Sequence, residues 1–291
     1  MLKKLLLSIS KCNVNTSLIK DINIIVVDND FDKTAETIVN DLQERFCEVS
    51  KLHYINYNKK GLSNVRNELF KKAIAYNADF IVGVDDDEYV TYHWLDELLL
   101  TITSTSADIV MGPGIPVFDH KVSPFIAYWF NSHDLINHQK IKFFQSGNFI
   151  ISVRFLLSQK IQFDQRFNTT GAEDSFFGVT AIKKGAKIYW SSKAIAYETI
   201  QKKSASLKWL IKRKFRTAIT YTYILTLERN YLMLLKKILV NIIYLISGFI
   251  GLLLFPFRFK FRYWGILKLA ESLGGFSGLA NIKFHEYKKD R

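Results

Sequence analysis

The chain has 291 residues, 48% of them hydrophobic, which is enough for one substantial core and an appendage. Residues 1–200 hold 22 Lys+Arg and 23 Asp+Glu, whereas residues 201–291 hold 18 Lys+Arg and 4 Asp+Glu. The net charge of +13 therefore belongs to the C-terminal third. Cys12 and Cys47 have no metal-type spacing, which argues against a disulfide framework and fits a reducing compartment. The apolar run at the N-terminus is too short for a signal peptide.

The N-terminal part predicts alternating strands and helices. Residues 3–10 predict the end of a helix. Apolar runs then predict three strands, and segments of helical periodicity lie between them, in the order 23–27 (strand), 34–49 (helix), 53–57 (strand), 62–76 (helix, opened by Gly61) and 80–84 (strand). This βαβαβ order implies right-handed crossovers and a mostly parallel, Rossmann-like sheet flanked by helices.

The middle of the chain continues this alternation with shorter elements. The pattern predicts helices near 92–103 and 171–184, and strands at 108–111, 143–152, 186–190 and 194–198. Residues 118–140 hold aromatic side chains among polar ones and predict only a loop with some helix.

Four consecutive carboxylates follow the third predicted strand, namely Asp85, Asp86, Asp87 and Glu88. Ligands of open α/β sheets bind beyond the carboxyl ends of the strands, so chemistry is expected here. On an extended chain Asp85 and Asp87 face one way and Asp86 the other. Two carboxylates on one side suit a hard cation such as Mg²⁺ or Mn²⁺. The alternative is a solvated acidic turn, and Glu88 is expected to be solvated.

Residues 238–255 form an apolar run whose only polar members are Asn241 and Ser247. Basic residues lie on both sides, so an anionic membrane surface is favoured over nucleic acid as partner. A helix of this length reaches about 27 Å, which is marginal for a hydrocarbon core of about 30 Å. We expect the run to enter the bilayer at its cytoplasmic face without crossing, with a bend tolerable at Gly248 and Gly251 and both termini cytoplasmic. The alternatives are one transmembrane helix or a buried helix. Residues 264–279 predict an interfacial helix.

Six short motifs occur in a fixed order between Val27 and Arg216. They are Val27-Asp28-Asn29, Gly61 with Arg66-Asn67, Val84 with the four acids, Ser146-Gly147-Asn148, Gly171-Ala172-Glu173-Asp174 and Arg213-Lys214-Phe215-Arg216. Their joint order resembles that of family 2 glycosyltransferases and is more specific than any single motif. The resemblance implies a GT-A type catalytic domain over 1–218, followed by a membrane-associated helical region over 219–291.

The resemblance also implies an inverting enzyme of polysaccharide biosynthesis that uses a nucleotide-sugar donor, a UDP-sugar, and a glycan or lipid-linked acceptor. Asp28 then contacts the nucleoside, Arg66 approaches the donor, and Asp86 orients the donor sugar or ribose. Asp85 and Asp87 hold the Mg²⁺ or Mn²⁺ ion. Two structural alternatives stay open. Asp28 would be an acidic turn residue or a helix cap, although Asp30 fits the cap better, and Arg66 would be an ordinary surface arginine.

The acceptor half of the site comes from the later motifs. The resemblance makes Asp174 the general base, with Glu173 and Asn148 on the acceptor side and Arg213 and Arg216 near the diphosphate. Each of these residues also has a structural alternative. Glu173 and Asp174 are acids of the kind that a helix N-terminus favours, Asn148 forms a turn, and Arg213 and Arg216 belong to a basic helix beside a membrane.

One departure from the family pattern concerns the N-terminus. The family begins with an apolar strand, whereas Met1 here falls inside the first predicted helix, so we expect that strand to be missing and strand edges to be exposed. Two other function classes stay open: an inert, membrane-attached remnant and a nucleotidyltransferase. Against the latter, no Gly-rich phosphate loop with Arg or Lys occurs near the N-terminus.

Overall fold

The computed structural model describes residues 1–15, 19–46, 50–130, 134–254, 259–282 and 284. The chain divides into two compact units. The sheet unit comprises Met1–Val117, Phe130–Asn168 and Glu173–Thr199, and the helical unit comprises Phe118–Trp129, Thr169–Ala172 and Ile200–Arg291.

The first elements of the sheet unit alternate as the periodicity predicts. They are α1 (Leu2–Ile9), β1 (Ile22–Asp28), α2 (Thr34–Leu42), β2 (Ser50–Asn56), α3 (Leu62–Ala75) and β3 (Phe80–Val84). The predicted helix over 34–49 is shorter, because a 3₁₀ turn at Gln43–Arg45 follows α2, and 47–49 lie outside the described residues. Strands β1 and β2 pair in parallel, with Asp28 opposite Asn56 at their carboxyl ends.

The chain then continues with shorter elements. They are β4 (Glu88–Val90), α4 (Trp94–Ser104), β5 (Ile109–Met111), β6 (Gly114–Phe118), α5 (Pro124–Tyr128), β7 (Lys140–Ile141), β8 (Asn148–Ser152), α6 (Val153–Gln159), α7 (Glu173–Lys183), β9 (Ile188–Trp190) and β10 (Ala196–Ile200). Strands β4, β6 and β7 and helix α6 have no counterpart among the sequence predictions.

The sheets are mixed. The five-stranded sheet has the order β3-β8-β5-β9-β7, and a three-stranded sheet has the order β4-β10-β6. The expectation of a mostly parallel sheet was wrong, because β8 lies between β3 and β5 and is antiparallel to both, whereas β5 and β9 are parallel. Ile109, Val110, Ile150 and Ile151 are fully buried, so adjacent residues of one strand fill both faces. This explains why these apolar runs show no alternation.

Three long helices form the body of the helical unit: α8 (Leu207–Leu227), α9 (Tyr231–Leu253) and α10 (Phe259–Leu279), with α10 packed against both others. A Cβ added at Gly251 would lie 3.0 Å from the Cα of Gly265, so the helices approach closely here. Gly248 and Gly251 therefore allow α9 to pack closely on α10. The helix continues unbroken through both positions, where the sequence allowed a bend. The domain boundary after residue 218 stays a prediction; α8 continues across it.

Candidate functional site

Asp85, Asp86 and Asp87 lie on a tight turn between β3 and β4, which we call the acid turn, and Glu88 is the first residue of β4. The backbone N–H of Glu88 donates to the carbonyl of Asp85 at 3.1 Å, and the N–H of Asp85 donates to the carbonyl of Gly147 at 3.2 Å. The expected extended alternation of the acids was wrong, because the chain must turn before β4 begins at Glu88. Asp86 is exposed, whereas Asp85 and Asp87 are partly buried.

Glu88 is buried, with 5% of its surface exposed, so the expectation that it is solvated was wrong. A Cβ at Gly147 would lie 3.0 Å from Glu88 Oε1, so glycine at 147 leaves room for this carboxyl group. Glu198 of β10 lies directly opposite in the ladder. Burial, and after it the charge of Asp85, raises the pKa of Glu88 to about 9. A carboxyl with this pKa is neutral near pH 7 and does not repel Asp85.

The metal-ligand pair predicted from the sequence is electrostatically crowded. Burial, followed by the charges of Asp85, Glu198 and Asp86, raises the pKa of Asp87 to about 6. Burial also raises the pKa of Asp85, against the opposing effect of Arg66. The described residues contain no group of three or more His, Cys, Asp or Glu arranged to hold a metal. Mg²⁺ is often held by one or two carboxylates plus substrate phosphates, so a crowded oxygen-only pair fits a divalent cation.

Arg66 of α3 connects the acid turn with the start of α7. Its guanidinium forms an ion pair with Glu173 and lies 3.5 Å from Asp85 Oδ1. Its side chain is only 15% exposed, so Arg66 is not an ordinary surface arginine. Burial alone would lower the pKa of Arg66, but the charges of Asp85, Glu173 and Asp174 outweigh it and raise that pKa.

Glu173 and Asp174 differ in burial although they are neighbours. Glu173 is 4% exposed, and its Oε2 has no hydrogen-bond partner in the part of the chain that the structure describes. Burial raises the pKa of Glu173, although Arg66 opposes this. Asp174 is half-buried and accepts from the Ser175 N–H at 2.6 Å. Gly171 and Ala172 both adopt left-handed φ values, +73° and +69°, which turn the chain sharply into α7.

Asp28 closes the loop that leads from β1 into α2. Its Oδ1 accepts the N–H of Asp30, and its Oδ2 accepts the N–H of Ala35 and the hydroxyl of Tyr54, at 2.9 to 3.1 Å. Asp28, and not Asp30 as expected, thus satisfies a free N–H in the first turn of α2. Asp30 instead accepts from the Thr34 hydroxyl. A carboxylate offers about four acceptor positions, so one remains on Asp28 for a ligand.

Asn148 has a packing role in this structure, and its acceptor-side role stays a prediction. Its side chain is buried, its Oδ1 accepts from Trp94 Nε1 at 2.9 Å, and its Nδ2 donates to the carbonyls of Pro113 and Ala194. The amide makes three of its four possible hydrogen bonds to protein and joins three segments of the sheet unit beside the acid turn.

Arg213 and Arg216 lie on α8 and belong to the helical unit. The guanidinium of Arg213 lies 4.9 Å from the Trp209 ring centre, a stacking contact within the helix. Their predicted role near the diphosphate stays a prediction.

The pairing of the buried Glu88 with the half-buried Glu198 was not predicted from the sequence. Within a run of four acids nothing separates the buried member from the exposed ones, because burial arises from the distant pairing of β4 with β10. The one signal in the sequence was Gly147, because the absence of a side chain at this position leaves room for the Glu88 carboxyl group.

A family model, Glycosyl transferase family 2, matches residues 2–163. This is more than half of the chain, and the chain therefore belongs to glycosyl transferase family 2. The resemblance carried by the ordered motifs is confirmed.

The chain is similar to a curated protein, Succinoglycan biosynthesis protein ExoM of Rhizobium meliloti (strain 1021), with 29% identity over 210 residues. The match covers 69% of this chain and 64% of that protein. Among solved structures, S. aureus TarS 1-349 in complex with UDP-GlcNAc aligns over 99% of this chain and 90% of its own, with TM-score 0.55 and 17% identity. GalNAc-T7 with UDP, GalNAc and Mn²⁺ aligns over 75% and 47%, with TM-score 0.52 and 12% identity. These likenesses confirm the GT-A type α/β fold.

Proposed function

We propose that this chain transfers a sugar from a nucleotide-diphosphate donor, a UDP-sugar, to a glycan or lipid-linked acceptor. The observation that carries the proposal is the convergence of Asp85, Arg66, Glu173 and Asp174 at one edge of the sheet unit. Family membership supports it, as do the UDP and UDP-GlcNAc complexes of TarS and the role of ExoM in succinoglycan biosynthesis. Membership in this family also disfavours the nucleotidyltransferase alternative.

Asp85 and Asp87 are the residues that would hold a Mg²⁺ or Mn²⁺ ion. A divalent cation held there would stabilise negative charge on the phosphate oxygens of the leaving nucleoside diphosphate. The crowding that raises the pKa of Asp87 to about 6 supports this assignment, because a cation relieves the repulsion between the carboxylates. The GalNAc-T7 structure contains Mn²⁺.

Asp174 is the general base of the proposed reaction. The acceptor hydroxyl attacks the anomeric carbon and gives its proton to the carboxylate of Asp174, while the bond from that carbon to the diphosphate oxygen breaks on the opposite face. One displacement inverts the anomeric centre, so an α-linked donor gives a β-linked product. The half-buried position of Asp174 supports this role, whereas the ion pair with Arg66 makes Glu173 the positioning residue beside it.

The remaining donor contacts complete the proposal. Asp28 uses its last free acceptor position for the nucleoside, and Asp86 faces the ribose or donor sugar. The helix α9 associates the enzyme with the cytoplasmic face of the cell membrane; it is the described helix that is long and apolar enough to cross one.

The test is sugar transfer by the full chain from a panel of labelled UDP-sugars to a lipid and glycan extract. Once a donor is found, Asp174→Asn should reduce transfer by a factor on the order of 10² or more while donor binding persists. Asp79→Asn is the matched control, because Asp79 is exposed and lies just before β3, at the strand end opposite to the acid turn. Unchanged transfer by Asp174→Asn would place the base elsewhere, and absence of transfer with every donor would favour the inert remnant.

A further inference from the structure

Helix α9 carries a long exposed stripe of apolar side chains. Its residues recur at spacings of three and four, so they lie on one face of the helix, and they are Leu232, Leu235, Leu239, Ile242, Ile243, Ile246, Phe249, Ile250 and Leu253. At 1.5 Å per residue the stripe is about 32 Å long. Only 11% of the most apolar part of α9 is buried, so the described residues leave this face without cover. An apolar surface of this extent marks an interaction site.

The opposite face of α9 packs against α10. Asn241 is 0% exposed, and the Ser272 hydroxyl of α10 donates to its backbone carbonyl at 2.7 Å. Gly248 and Gly251 of α9 lie against Gly265 of α10. One face of α9 is therefore covered by protein and the other is open along the whole helix.

Charged side chains lie on the protein-facing side close to the middle of α9. Lys268 Nζ lies 3.5 Å from the ring centre of Tyr244, which is two residues from the centre of the helix. Glu271 lies within 4.0 Å of both Lys268 and Lys214. Burial lowers the pKa of Lys237; the charge of Glu271 opposes this, and the charges of Lys268 and Lys214 add smaller lowering effects. Three lysines and one glutamate thus cluster beside the central turns of α9.

A helix that crossed the bilayer would place this cluster near the membrane midplane. The hydrocarbon core is about 30 Å thick, so all four charged groups would lie inside it. A Lys or Glu at that depth is strongly unfavourable, and four on tightly packed helices could not all reach the interface. An orientation parallel to the membrane avoids this cost, because the charged side then faces away from the lipid.

The surroundings of the stripe are basic. Arg229 and Lys236 are exposed at the start of α9, Arg262 is exposed on α10, and residues 201–291 carry a net charge of +14. This charge complements the anionic surface of a lipid bilayer.

From these observations we propose that α9 lies parallel to the surface of an anionic bilayer, with its stripe in the headgroup–acyl boundary and both of its ends on the same side. This replaces the bent, partly inserted segment expected from the sequence. The proposal is independent of sugar transfer, and its tests need no donor.

The first test is flotation of the full chain with phosphatidylglycerol vesicles and with phosphatidylcholine vesicles. The wild type should float with the anionic vesicles and be released as the salt concentration rises. The triple variant Leu239→Gln/Ile243→Gln/Ile246→Gln should bind at least tenfold more weakly. The matched control is Leu100→Gln/Ile136→Gln/Leu157→Gln, which changes three exposed apolar side chains of the sheet unit and should bind as the wild type does.

The second test decides the orientation. Single cysteines at Tyr231→Cys and Leu253→Cys, in a Cys12→Ser/Cys47→Ser background, are probed in intact cells with a membrane-impermeant maleimide. Neither should be labelled until the cells are opened. Labelling of one end from outside would overturn the parallel orientation in favour of a transmembrane helix.

Wild-type binding by the α9 triple variant would overturn the stripe as the lipid contact. If that variant instead turned a dimer into a monomer, a second copy of the chain would be the occupant.

Discussion

The ion pair between Arg66 and Glu173 allows a quantitative test of how the site is built. Glu173 has 5% of its side chain exposed and Arg66 has 15%, so neither group can recover full hydration when its partner is removed. Removal of one partner of a buried pair costs about 3–5 kcal/mol, because the other charge stays buried and uncompensated. Arg66→Met should approach this value, since Glu173 Oε2 already lacks a partner within the described residues. Glu173→Gln should cost less, because Arg66 keeps Asp85 at 3.5 Å.

The double variant Arg66→Met/Glu173→Gln removes both charges together. It should therefore be more stable than the sum of the single effects implies, by about 0.5–3 kcal/mol, which is the range for residues in direct contact. The assay is equilibrium urea unfolding in EDTA, followed by tryptophan fluorescence. At about 3 kcal/mol per molar urea, Arg66→Met should lower the midpoint by about 1 to 1.7 M.

A control variant on the same helix separates this pair from general effects on α3. Lys71 lies 3.9 Å from Glu68, but its side chain is 76% exposed, so Lys71→Met should change the free energy of unfolding by less than about 0.5 kcal/mol. Strict additivity of the Arg66 and Glu173 effects would show that the two side chains do not interact, and the account of the site as one electrostatic unit would then be wrong.

Two further predictions concern buried polar groups beside the acid turn. Burial raises the pKa of Glu88 to about 9, so its contribution to the free energy of unfolding is complete below its ordinary pKa of 4.5 and is lost as the pH rises toward 9. Glu88→Gln in EDTA should therefore gain stability over the wild type by about 1 kcal/mol per pH unit between about pH 5 and pH 8, and a constant difference would contradict the burial argument. Asn148→Ala should lower the free energy of unfolding by about 2–5 kcal/mol in the same urea assay, because Trp94 Nε1 and two carbonyls lose their partner. A loss below about 1 kcal/mol would show that water replaces the amide.

Local patterns predicted most of the elements correctly. Strand β3 begins and ends at the predicted residues, because a short apolar run stops abruptly at charged side chains. Helix α3 also agrees within one residue of its predicted end. Strands β4, β6 and β7 and helix α6 escaped prediction, since each is short and is determined by its long-range neighbours in the fold.

Local sequence patterns likewise predicted one part of the site and not the other. The sequence placed Asp85, Arg66, Glu173 and Asp174 among the candidates, and the structure brings them together. It could not indicate that Glu88 is buried or that the acids form a turn, because both follow from the start of β4 and its pairing with β10. The packing role of Asn148 depends on Trp94, 54 positions away, for which no local pattern exists.

The most direct test of the proposed donor site is calorimetric titration of the full chain with uridine diphosphate, in Mn²⁺ and in EDTA. The account predicts binding that requires Mn²⁺, is abolished in Asp87→Ala, and is retained in Asp79→Ala, which changes the aspartate just before the same strand. Unchanged Mn²⁺-dependent binding by Asp87→Ala would contradict the metal assignment. Absence of binding by the wild type under both conditions would contradict the proposed donor site itself.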